Sequence, residues 1–518
     1  MQPEQHSAFE VLDIAPNATL DEILFAYRTL AKQYHPDRVA HLGPEFRDLA
    51  DRRMKAINHA YDELRQAHKA GAESALRPYS HARPDTPTIS VDSDSRGVHP
   101  NLEEAVRYAP AGAILVLSEG VHHLRAPLVV SRPITLLGAG TSLTCIMCAG
   151  QDYVVRFDGQ GTNCARDLSF EHSGDSVADT VVVMSGSVVF ERCRFAGAVA
   201  RALDDYSEGG SGLCLYGITS GIVRDCDALN NGRYGIRVSD QATPMLETST
   251  CRMNGLRGIA YFGCSAGTAR GNVCTRNPDS GIFVGDQARP TLEANTCKEG
   301  TRGIVFSGRA TGVARHNICN AGWLGIHVAG EAEPTLEANT CGQQMAGIQY
   351  SDGASGSARE NECYSNHFGI LVAGHARPVL EANTCRLNSD GIAYVDSAAG
   401  VARQNTCEKS IAHGISAYGQ ARPVLEGNAC RHNNMSGIGY GDSAAGIARG
   451  NVCANNAEHG IHVLQSATPY LHANICRANG HFGILMADHA CPYLAENVYG
   501  ENGAGDSVVE GYAEDDPF

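Results

Sequence analysis

The sequence predicts a multidomain chain in which a small all-α unit is followed by a long all-β solenoid. The solenoid is predicted by a Gly-Ile pair that recurs every 22 or 23 residues. A repeat this short and strict is typical of stacked coils. The all-α unit is predicted by an apolar stripe at helical spacing near the N-terminus. The glycines of the repeat are Gly235, Gly258, Gly281, Gly303, Gly325, Gly347, Gly369, Gly391, Gly414, Gly437, Gly460 and Gly483.

The composition is acidic and rich in glycine. The chain has 518 residues, 57 glycines and a formal net charge of −16, which argues against a nucleic-acid partner because its phosphates would be repelled. The N-terminal residues MQPEQHSAFEVLDIAP lack the basic flank and the apolar run of a signal peptide, and no stretch approaches the ~20 apolar residues that span a bilayer. We therefore expect a cytoplasmic protein with no membrane partner. Its 19 cysteines are expected to be reduced, buried thiols.

The chain divides into four parts. Residues 1–70 are expected to be helical, and residues 71–88 (GAESALRPYSHARPDTPT) have the composition of a flexible linker. The solenoid is expected over 89–505, with an N-terminal cap at 89–125 that contains a helix around Leu102 to Tyr108. The last segment, 506–518, is expected to be an acidic tail.

The helical part is predicted to be an antiparallel hairpin. Thr19 and Glu22 form a capping box that opens the first helix, whose apolar stripe includes Ile23 and Leu30. This helix ends at His35-Pro36-Asp37, because the residue before a proline is pushed out of helical geometry. A second helix follows Pro44 and packs on the first.

Three motifs in this hairpin make it resemble the J domain of DnaJ-type co-chaperones over residues 7–68. They are the Tyr-Arg-x-Leu-Ala run at Tyr27 to Ala31, the His-Pro-Asp turn, and the Ala-Ile-Asn-x-Ala-Tyr element from Ala56 to Tyr61. The resemblance implies docking on a DnaK-type heat-shock ATPase and stimulation of its ATP hydrolysis. The residues implied in docking are His35, Pro36 and Asp37 in the turn, with Tyr27, Arg28, Lys32 and Arg38 on the basic face.

The alternative for the same tripeptide is an ordinary loop in a helical hairpin. Neither a Gly/Phe-rich segment nor a cysteine-rich zinc module follows the hairpin. Substrate delivery of the general DnaJ kind is therefore not expected. Whatever the protein brings to the ATPase must come through the solenoid.

Twelve residues after each repeat glycine from Gly235 to Gly437, acid and base alternate from coil to coil. Leu precedes every Glu, as in Leu292-Glu293, and Ala precedes every Arg, as in Ala314-Arg315. Period-two geometry places Leu and Ala inside and the charges outside. Three residues after the glycine, Val alternates with an aromatic residue, so that core volume is conserved across a pair of coils. The charges are expected to fix the register between coils, the alternative being a binding strip.

Two further columns recur once per coil. The asparagines from Asn272 to Asn497 are expected at turns, where Asn tolerates left-handed geometry and its amide bonds the neighbouring coils. The cysteines from Cys251 to Cys476 are expected to fill the core as small apolar groups. The alternative, a line of metal ions along the thiols, lacks the tetrahedral convergence that zinc requires. No metal site and no cofactor is predicted.

The alternating Pro-x-Leu-Glu-x-Asn and Gly-x-Ala-Arg-x-Asn coils carry a second resemblance. Residues 89–505 resemble right-handed parallel β-helix proteins of the pectate-lyase type. The coils look most like the β-helix repeats of the F-box-associated substrate-binding proteins and of the periplasmic copper-maturation proteins. The resemblance implies the fold, which serves lyases, hydrolases, epimerases and binding modules alike.

Two places on the β-helix are candidate functional sites. Weak catalytic candidates, Asp204, Asp205 and Glu208, lie in the irregular stretch AVARALDDYSEGGSG. The segments between each Cys and the next Gly are the least regular, and variation stacked along a rigid spine is typical of a recognition edge, although ordinary variable turns are the alternative. The candidate contacts on this edge are Trp323, Phe368, His413, His459, His481 and Phe482.

Two functions remain open from the sequence. In the first, the protein is a co-chaperone that stimulates a DnaK-type ATPase, and its β-helix is a scaffold that binds a protein or glycan client. In the second, the β-helix is a polysaccharide-active lyase, hydrolase or epimerase with an accessory J domain. The first is preferred, because the charge alternation and the asparagine and cysteine columns explain most repeated residues without catalysis.

Overall fold

A computed structural model of the protein describes residues 54–55, 57–58, 60–61, 86–93, 100–204, 208–320 and 322–510. The chain forms two compact units, Met1–Thr86 and Pro87–Phe518. In the first unit the described residues between 54 and 61 are helical, and Ile57 and Ala60 are buried, as expected for the second helix of the hairpin. The expected docking residues lie outside the described residues: Tyr27, Arg28, Lys32, His35, Pro36, Asp37 and Arg38.

The second unit is a parallel β-solenoid that begins with one short helix and eight irregular strands. Helix α1 spans Leu102–Tyr108, as predicted, and its N-cap Asn101 accepts a hydrogen bond from the Glu104 backbone N–H at 2.9 Å. Leu102 and Val106 of this helix join the solenoid core. The strands are β1 (Thr88–Val91), β2 (Ile114–Leu117), β3 (Gly120–His123), β4 (Leu128–Val130), β5 (Thr135–Leu137), β6 (Thr144–Cys148), β7 (Asp152–His172) and β8 (Ala178–Ala196).

Each regular coil contributes one strand to each of three parallel sheets. The Gly-Ile sheet contains β9 (Ser211–Leu215), β12 (Tyr234–Val238), β15 (Arg257–Tyr261), β18 (Ser280–Val284), β21 (Arg302–Phe306), β24 (Leu324–Val328), β27 (Ala346–Tyr350), β30 (Phe368–Val372), β33 (Asp390–Tyr394), β36 (Ile415–Ala417), β39 (Ile438–Tyr440), β42 (Ile461–Val463), β45 (Phe482–Ala487) and β48 (Gly505–Glu510). Stacking at the ordinary strand spacing makes each column of equivalent residues continuous.

The second sheet, the charge sheet, carries the Leu-Glu and Ala-Arg pairs. It contains β10 (Ser220–Arg224), β13 (Thr243–Glu247), β16 (Thr268–Arg270), β19 (Thr291–Glu293), β22 (Val313–Arg315), β25 (Thr335–Glu337), β28 (Ser357–Arg359), β31 (Val379–Glu381), β34 (Ala399–Arg403), β37 (Arg422–Glu426), β40 (Ile447–Arg449), β43 (Tyr470–His472) and β46 (Tyr493–Ala495).

The third sheet, the cysteine sheet, completes each coil. It contains β11 (Asp227–Leu229), β14 (Thr250–Arg252), β17 (Val273–Thr275), β20 (Thr296–Lys298), β23 (Ile318–Asn320), β26 (Thr340–Gly342), β29 (Glu362–Tyr364), β32 (Thr384–Arg386), β35 (Thr406–Glu408), β38 (Ala429–Arg431), β41 (Val452–Ala454), β44 (Ile475–Arg477) and β47 (Val498–Gly500).

The core has the predicted alternation of large and small side chains. Leu292 pairs with Ala314 and Val284 with Phe306 in adjacent coils, and all four are fully buried. The cysteine column is buried as predicted, with Cys297 directly opposite Cys319. Each coil therefore complements the volume of the next one.

Each coil needs glycine at this position because there is no room for a Cβ atom. A Cβ added to Gly303 would lie 2.5 Å from the Gly325 carbonyl oxygen and 2.9 Å from Cys319 Cβ. Strand pairing skips this position and joins Arg302 to Leu324 and Ile304 to Ile326. Gly and Ile therefore both face the interior, and the side chains before and after them face outward.

The asparagine column is a buried ladder. Asn317 Nδ2 donates to the Leu292 carbonyl oxygen at 2.9 Å and to Asn339 Oδ1 at 2.9 Å. The interpretation of these asparagines as the left-handed residues is wrong, because the positive φ belongs to the preceding residue, as in Ala338 (φ 50°). Their predicted bonding between coils is confirmed. Five aspartates that recur at one corner of the coils are turn residues with positive φ: Asp240, Asp286, Asp352, Asp396 and Asp442. Asp286, for example, has φ 54°, and its Oδ2 accepts from the Gly263 backbone N–H at 2.8 Å.

A second amide ladder runs through the segments that look irregular in sequence. Asn254 Nδ2, for example, donates to Asn277 Oδ1 at 3.0 Å and to the Ala228 carbonyl oxygen at 3.1 Å. Sequence analysis missed this ladder, whose signal is an amide three residues after many of the cysteines. Its members include Asn231, Asn254, Asn277, Gln344, Asn366, Asn388, Asn433, Asn456, Asn479 and Asn502.

The charge column forms ion pairs within pairs of coils, as predicted. Arg315 lies 3.2 Å from Glu293, and Arg359 lies 2.9 Å from Glu337, each arginine reaching the glutamate of the preceding coil. These side chains are partly exposed, so the pairs add little net stability. Their physical effect is to penalise a shift by one coil, which would oppose like charges.

The C-terminal boundary of the solenoid differs from the expected one. Residues Gly505–Glu510 form β48 and pair with β45. The expected acidic tail at 506–518 therefore begins after a further strand. Within the described residues, no helix has the length and apolarity needed to cross a membrane.

Candidate functional site

The outward side of the Gly-Ile sheet is the most enclosed outer surface of the solenoid, and we call it the outer Gly-Ile face. It carries two columns of side chains, which lie one residue before and two residues after each glycine. The first column is Tyr234, Arg257, Ser280, Arg302, Leu324, Ala346, Phe368, Asp390, His413, Ser436, His459 and Phe482. The second is Arg237, Ala260, Phe283, Val305, His327, Gln349, Leu371, Ala393, Ser416, Gly439, His462 and Leu485. These residues are buried or half-buried although they point away from the core.

A charged section occupies the N-terminal part of this face. Arg257 Nε lies 2.7 Å from Asp279 Oδ2, and Arg302 also bonds the Asp279 carboxylate. The Arg257 guanidinium lies 3.5 Å from the centre of the Phe283 ring. Burial works against ionisation of Asp279, but hydrogen bonds from the two arginines lower its pKa. This section thus contains two arginines that share one carboxylate, that of Asp279.

An apolar section follows in the middle of the face. Leu324, Ala346, Leu371 and Ala393 form a buried cluster separate from the solenoid core, and the half-buried Phe368 packs on it. Trp323, next to Leu324 in sequence, is 58% exposed. We call this cluster, with Phe368 and Trp323, the apolar section; its accessible part is Trp323 and the exposed portion of Phe368.

A histidine section lies beyond it. The His413 and His462 rings are 4.7 Å apart, and His462 Nδ1 lies 3.1 Å from Ser436 Oγ. Asp390 accepts from the His413 backbone N–H at 2.9 Å and from Ser416 Oγ at 3.3 Å. Burial lowers the pKa of His462 to about 3, with His413 adding to the effect. At neutral pH His462 is therefore uncharged.

The recognition-edge candidates all lie on or beside this face. Trp323 and His481 are exposed, and Phe368 and Phe482 are half-buried. His413 and His459, however, are buried, with 4% and 9% exposure. The ring of His459 contacts the rings of His481 at 5.3 Å and Phe482 at 5.9 Å. Some of these candidates are therefore accessible to a ligand, whereas His413 and His459 lie beneath the surface.

One of the weak catalytic candidates, Glu208, borders a depression of about 740 Å³ near the start of the regular coils. Glu208 lines it and forms an ion pair with Arg201 at 2.9 Å, while Asp204 is exposed. Asp205 lies outside the described residues. No set of three or more His, Cys, Asp or Glu residues that could hold a metal occurs among the residues that the structure describes.

Sequence analysis missed the second column of the face. Phe283, His327 and Leu371 occupy it, and burial lowers the pKa of His327 to about 4. The usable signal is the spacing of three residues between the two outward positions in each coil. A strict period-two reading of the sequence misses this second column. Because Gly and Ile are consecutive and both face inward, the outward position falls two residues after the glycine instead of one.

Three family models match separate parts of the chain. The DnaJ domain matches residues 7–71, the right handed beta helix region matches 145–297, and the periplasmic copper-binding protein (NosD) matches 320–469. The chain joins a DnaJ domain to a right-handed β-helix. The predicted fold class, a small J domain followed by a parallel β-helix, is confirmed, and the J domain supports a co-chaperone role of the DnaJ type.

Curated DnaJ chaperones match a short part of this chain. The chaperone protein DnaJ of Cereibacter sphaeroides is 43% identical over 74 residues, which are 14% of this chain and 17% of that protein. The chaperone protein DnaJ of Thermotoga neapolitana is 41% identical over 69 residues, 13% of this chain and 18% of that protein. The chain thus spans about a sixth of the length of these relatives.

Solved structures match the β-helix in fold only. An alginate lyase from Paenibacillus sp. str. FPU-7 is 17% identical with a TM-score of 0.38, covering 56% of this chain and 99% of that one. The periplasmic alginate epimerase AlgG is 11% identical with a TM-score of 0.31, covering 81% and 83% of the two chains.

Proposed function

We propose that this J-domain protein is a cytoplasmic co-chaperone that docks on a DnaK-type heat-shock ATPase and brings it a client bound on the β-helix. The observation that carries the proposal is the DnaJ-domain match over residues 7–71, which contains the His35-Pro36-Asp37 tripeptide. A reducing compartment fits the nineteen cysteines, all of which are free thiols.

Docking is proposed to use the basic residues beside the tripeptide. Arg28, Lys32 and Arg38 supply positive charge on a chain whose net charge is −16. Complementary charges speed encounter and fix orientation, and they are screened by salt. Stimulation of the ATPase by this chain should therefore weaken as ionic strength rises.

The test is ATP turnover by a purified DnaK-type ATPase in the presence of the full chain. We expect a several-fold increase with the parent protein and none with His35→Gln, whose β-helix is unchanged. The substitution Arg309→Gln, at an exposed ion pair on the β-helix, is the matched control and should behave like the parent. Equal stimulation by parent and His35→Gln, or no stimulation by either, would rule the proposal out.

The client site is proposed to be the apolar section of the outer Gly-Ile face. The half-buried Phe368 and the 58% exposed Trp323 present the apolar surface, and Phe368 packs on the buried Leu324 and Leu371. An exposed aromatic residue next to buried apolar neighbours is typical of binding hot spots. The rigid solenoid holds these side chains in place before binding, so that little entropy is lost. The client is proposed to be an extended, apolar stretch of unfolded polypeptide.

Trp323 is the one tryptophan of the chain, so its fluorescence reports on this site directly. A tryptophan-free, leucine-rich peptide should shift the emission to shorter wavelength and bind the parent protein. Phe368→Ser should weaken binding about tenfold, in keeping with loss of a buried aromatic contact. Ile318→Ser, which removes a 44% exposed side chain from the cysteine sheet, is the control and should leave binding unchanged. Binding that survives Phe368→Ser would exclude this surface as the client site.

A further inference from the structure

The depression near the start of the regular coils is a separate feature from the proposed client site. It has a volume of about 740 Å³, and strands β7, β8 and β12 contribute to its walls. Its lining includes Tyr153, Arg156, Asp179, Tyr216 and Arg237. A concave site with converging polar groups of this size suits a small molecule.

Arg237 is held rigidly on one wall. Its guanidinium lies 5.5 Å from the centre of the Tyr216 ring and 5.3 Å from that of Phe262, and its Nε donates to Ser239 Oγ at 3.1 Å. Its two terminal nitrogens form a fixed, two-pronged donor with no ion pair among the described residues, although the Asp179 carboxyl acts on the guanidinium electrostatically.

Two more arginines line the depression. Arg156 lies 5.2 Å above the Tyr153 ring and 3.3 Å from Asp158, and its buried Nε has no hydrogen-bond partner in the described structure. Arg201 is neutralised by Glu208 at 2.9 Å. Arg237 is therefore the arginine of this lining without an ion pair among the described residues, and Arg156 is a second donor. Asp152 also lines the depression, so the bound group is held by hydrogen bonds rather than by a surplus of positive charge.

Asp179 places a buried carboxyl group in the same depression. It is 9% exposed, and its Oδ1 accepts from the Ser211 backbone N–H at 2.8 Å. Burial raises the pKa of Asp179, while hydrogen bonds from Ser211 and Cys214 and the charge of Arg237 oppose this rise.

We propose that this depression binds a small molecule through its carboxylate, with Arg237 as the bidentate donor and Arg156 as a second donor. A planar carboxylate fits the two terminal nitrogens of a fixed guanidinium. The acidic surroundings of a chain with net charge −16 keep dianions such as phosphate away, while one carboxylate is neutralised locally. This inference is independent of the proposed co-chaperone function.

The test is titration calorimetry of the full chain with lactate, glucuronate, glucose and inorganic phosphate. Lactate or glucuronate should bind, and the tighter of the two identifies the source of the carboxylate as a simple acid or an acidic sugar. Glucose and phosphate should bind at least tenfold more weakly. No binding of either acid at millimolar concentration, or phosphate bound as tightly as the acids, overturns the proposal.

Variants locate the binding to the two donors. Arg237→Met keeps the aliphatic stem between the rings and should weaken acid binding at least tenfold, whereas Arg201→Met, at the neutralised pair, should change it less than threefold. Arg156→Met gives an independent measurement if Arg237→Met does not fold, and should also weaken binding. Unchanged acid affinity in the folded Arg237→Met or Arg156→Met protein would overturn the assignment.

Discussion

At the residue scale, the glycine of each coil leaves room for the coil that follows. A Cβ at Gly303 would approach a backbone oxygen at 2.5 Å, and a backbone atom cannot move aside as a flexible side chain can. This glycine does not have a positive φ, so the restriction is steric. The same close approach to the next coil recurs at Gly325, Gly369 and Gly391.

Gly303→Ala should therefore lower the free energy of unfolding by about 1–3 kcal/mol, the usual cost of overpacking. The matched control is Gly353→Ala, where an added Cβ would meet nothing closer than 3.5 Å, and we expect a change below about 0.5 kcal/mol. Urea denaturation measures both. Equal destabilisation by the two substitutions would contradict the steric explanation.

The buried histidines make stability depend on pH. The pKa of His462 is lowered to about 3 by burial, from an ordinary value near 6.5. The neutral His462 contributes fully to the free energy of unfolding above pH 6.5. This contribution falls as the pH drops toward about 3, because the unfolded chain takes up a proton that the folded chain does not. His462→Gln should make the loss of stability between pH 6.5 and 4 shallower, measured as melting temperature against pH. A plot of melting temperature against pH that runs parallel to that of the parent protein would contradict the lowered pKa of His462.

At the element scale, each coil is fastened to its neighbours by side-chain amides as well as by strands. Asn339 Nδ2 donates to the Ala314 carbonyl oxygen at 2.8 Å and to Asn361 Oδ1 at 2.9 Å, and its Oδ1 accepts from Asn317. These groups are fully buried, so each satisfies a polar atom that water cannot reach.

Asn339→Leu should destabilise the protein by roughly 1–3 kcal/mol for each buried partner left unsatisfied. Asn320→Leu makes the same substitution at an exposed site in the same region and should have little effect. Hydrogen exchange adds a local readout, because the amides of Asn317 and Ala338 should exchange faster in Asn339→Leu alone. Matching exchange in both variants would argue against the ladder as a fastening element.

The sequence predicts the elements wherever period-two alternation holds. Leu292 with Ala314 and the buried Cys297 follow from that rule. The outer Gly-Ile face does not, because Gly303 and Ile304 both point inward and shift the alternation. The depression near the start of the coils is also hidden, since Asp179 and Arg237 meet only after the chain has turned through irregular strands.

At the scale of the whole molecule, a DnaJ domain is joined to a parallel β-solenoid. The motifs of the J domain are local, so sequence alone identifies it. The proposed client surface depends on which side chains the coils bring together, and the sequence does not show that Leu324, Phe368 and Leu371 form one group. The buried His413 and His459 act as supports of the neighbouring surface, although their sequence positions suggest contacts.

The central claim is that the two units serve one client. It is tested most directly by ATP turnover of a DnaK-type ATPase with the full chain and reduced, carboxymethylated α-lactalbumin as the unfolded client. The account predicts that client and chain together raise turnover by more than the sum of their separate effects, and that Phe368→Ser removes this excess while the stimulation by the chain alone remains. An excess that persists in Phe368→Ser, or a purely additive effect in the parent protein, would contradict it.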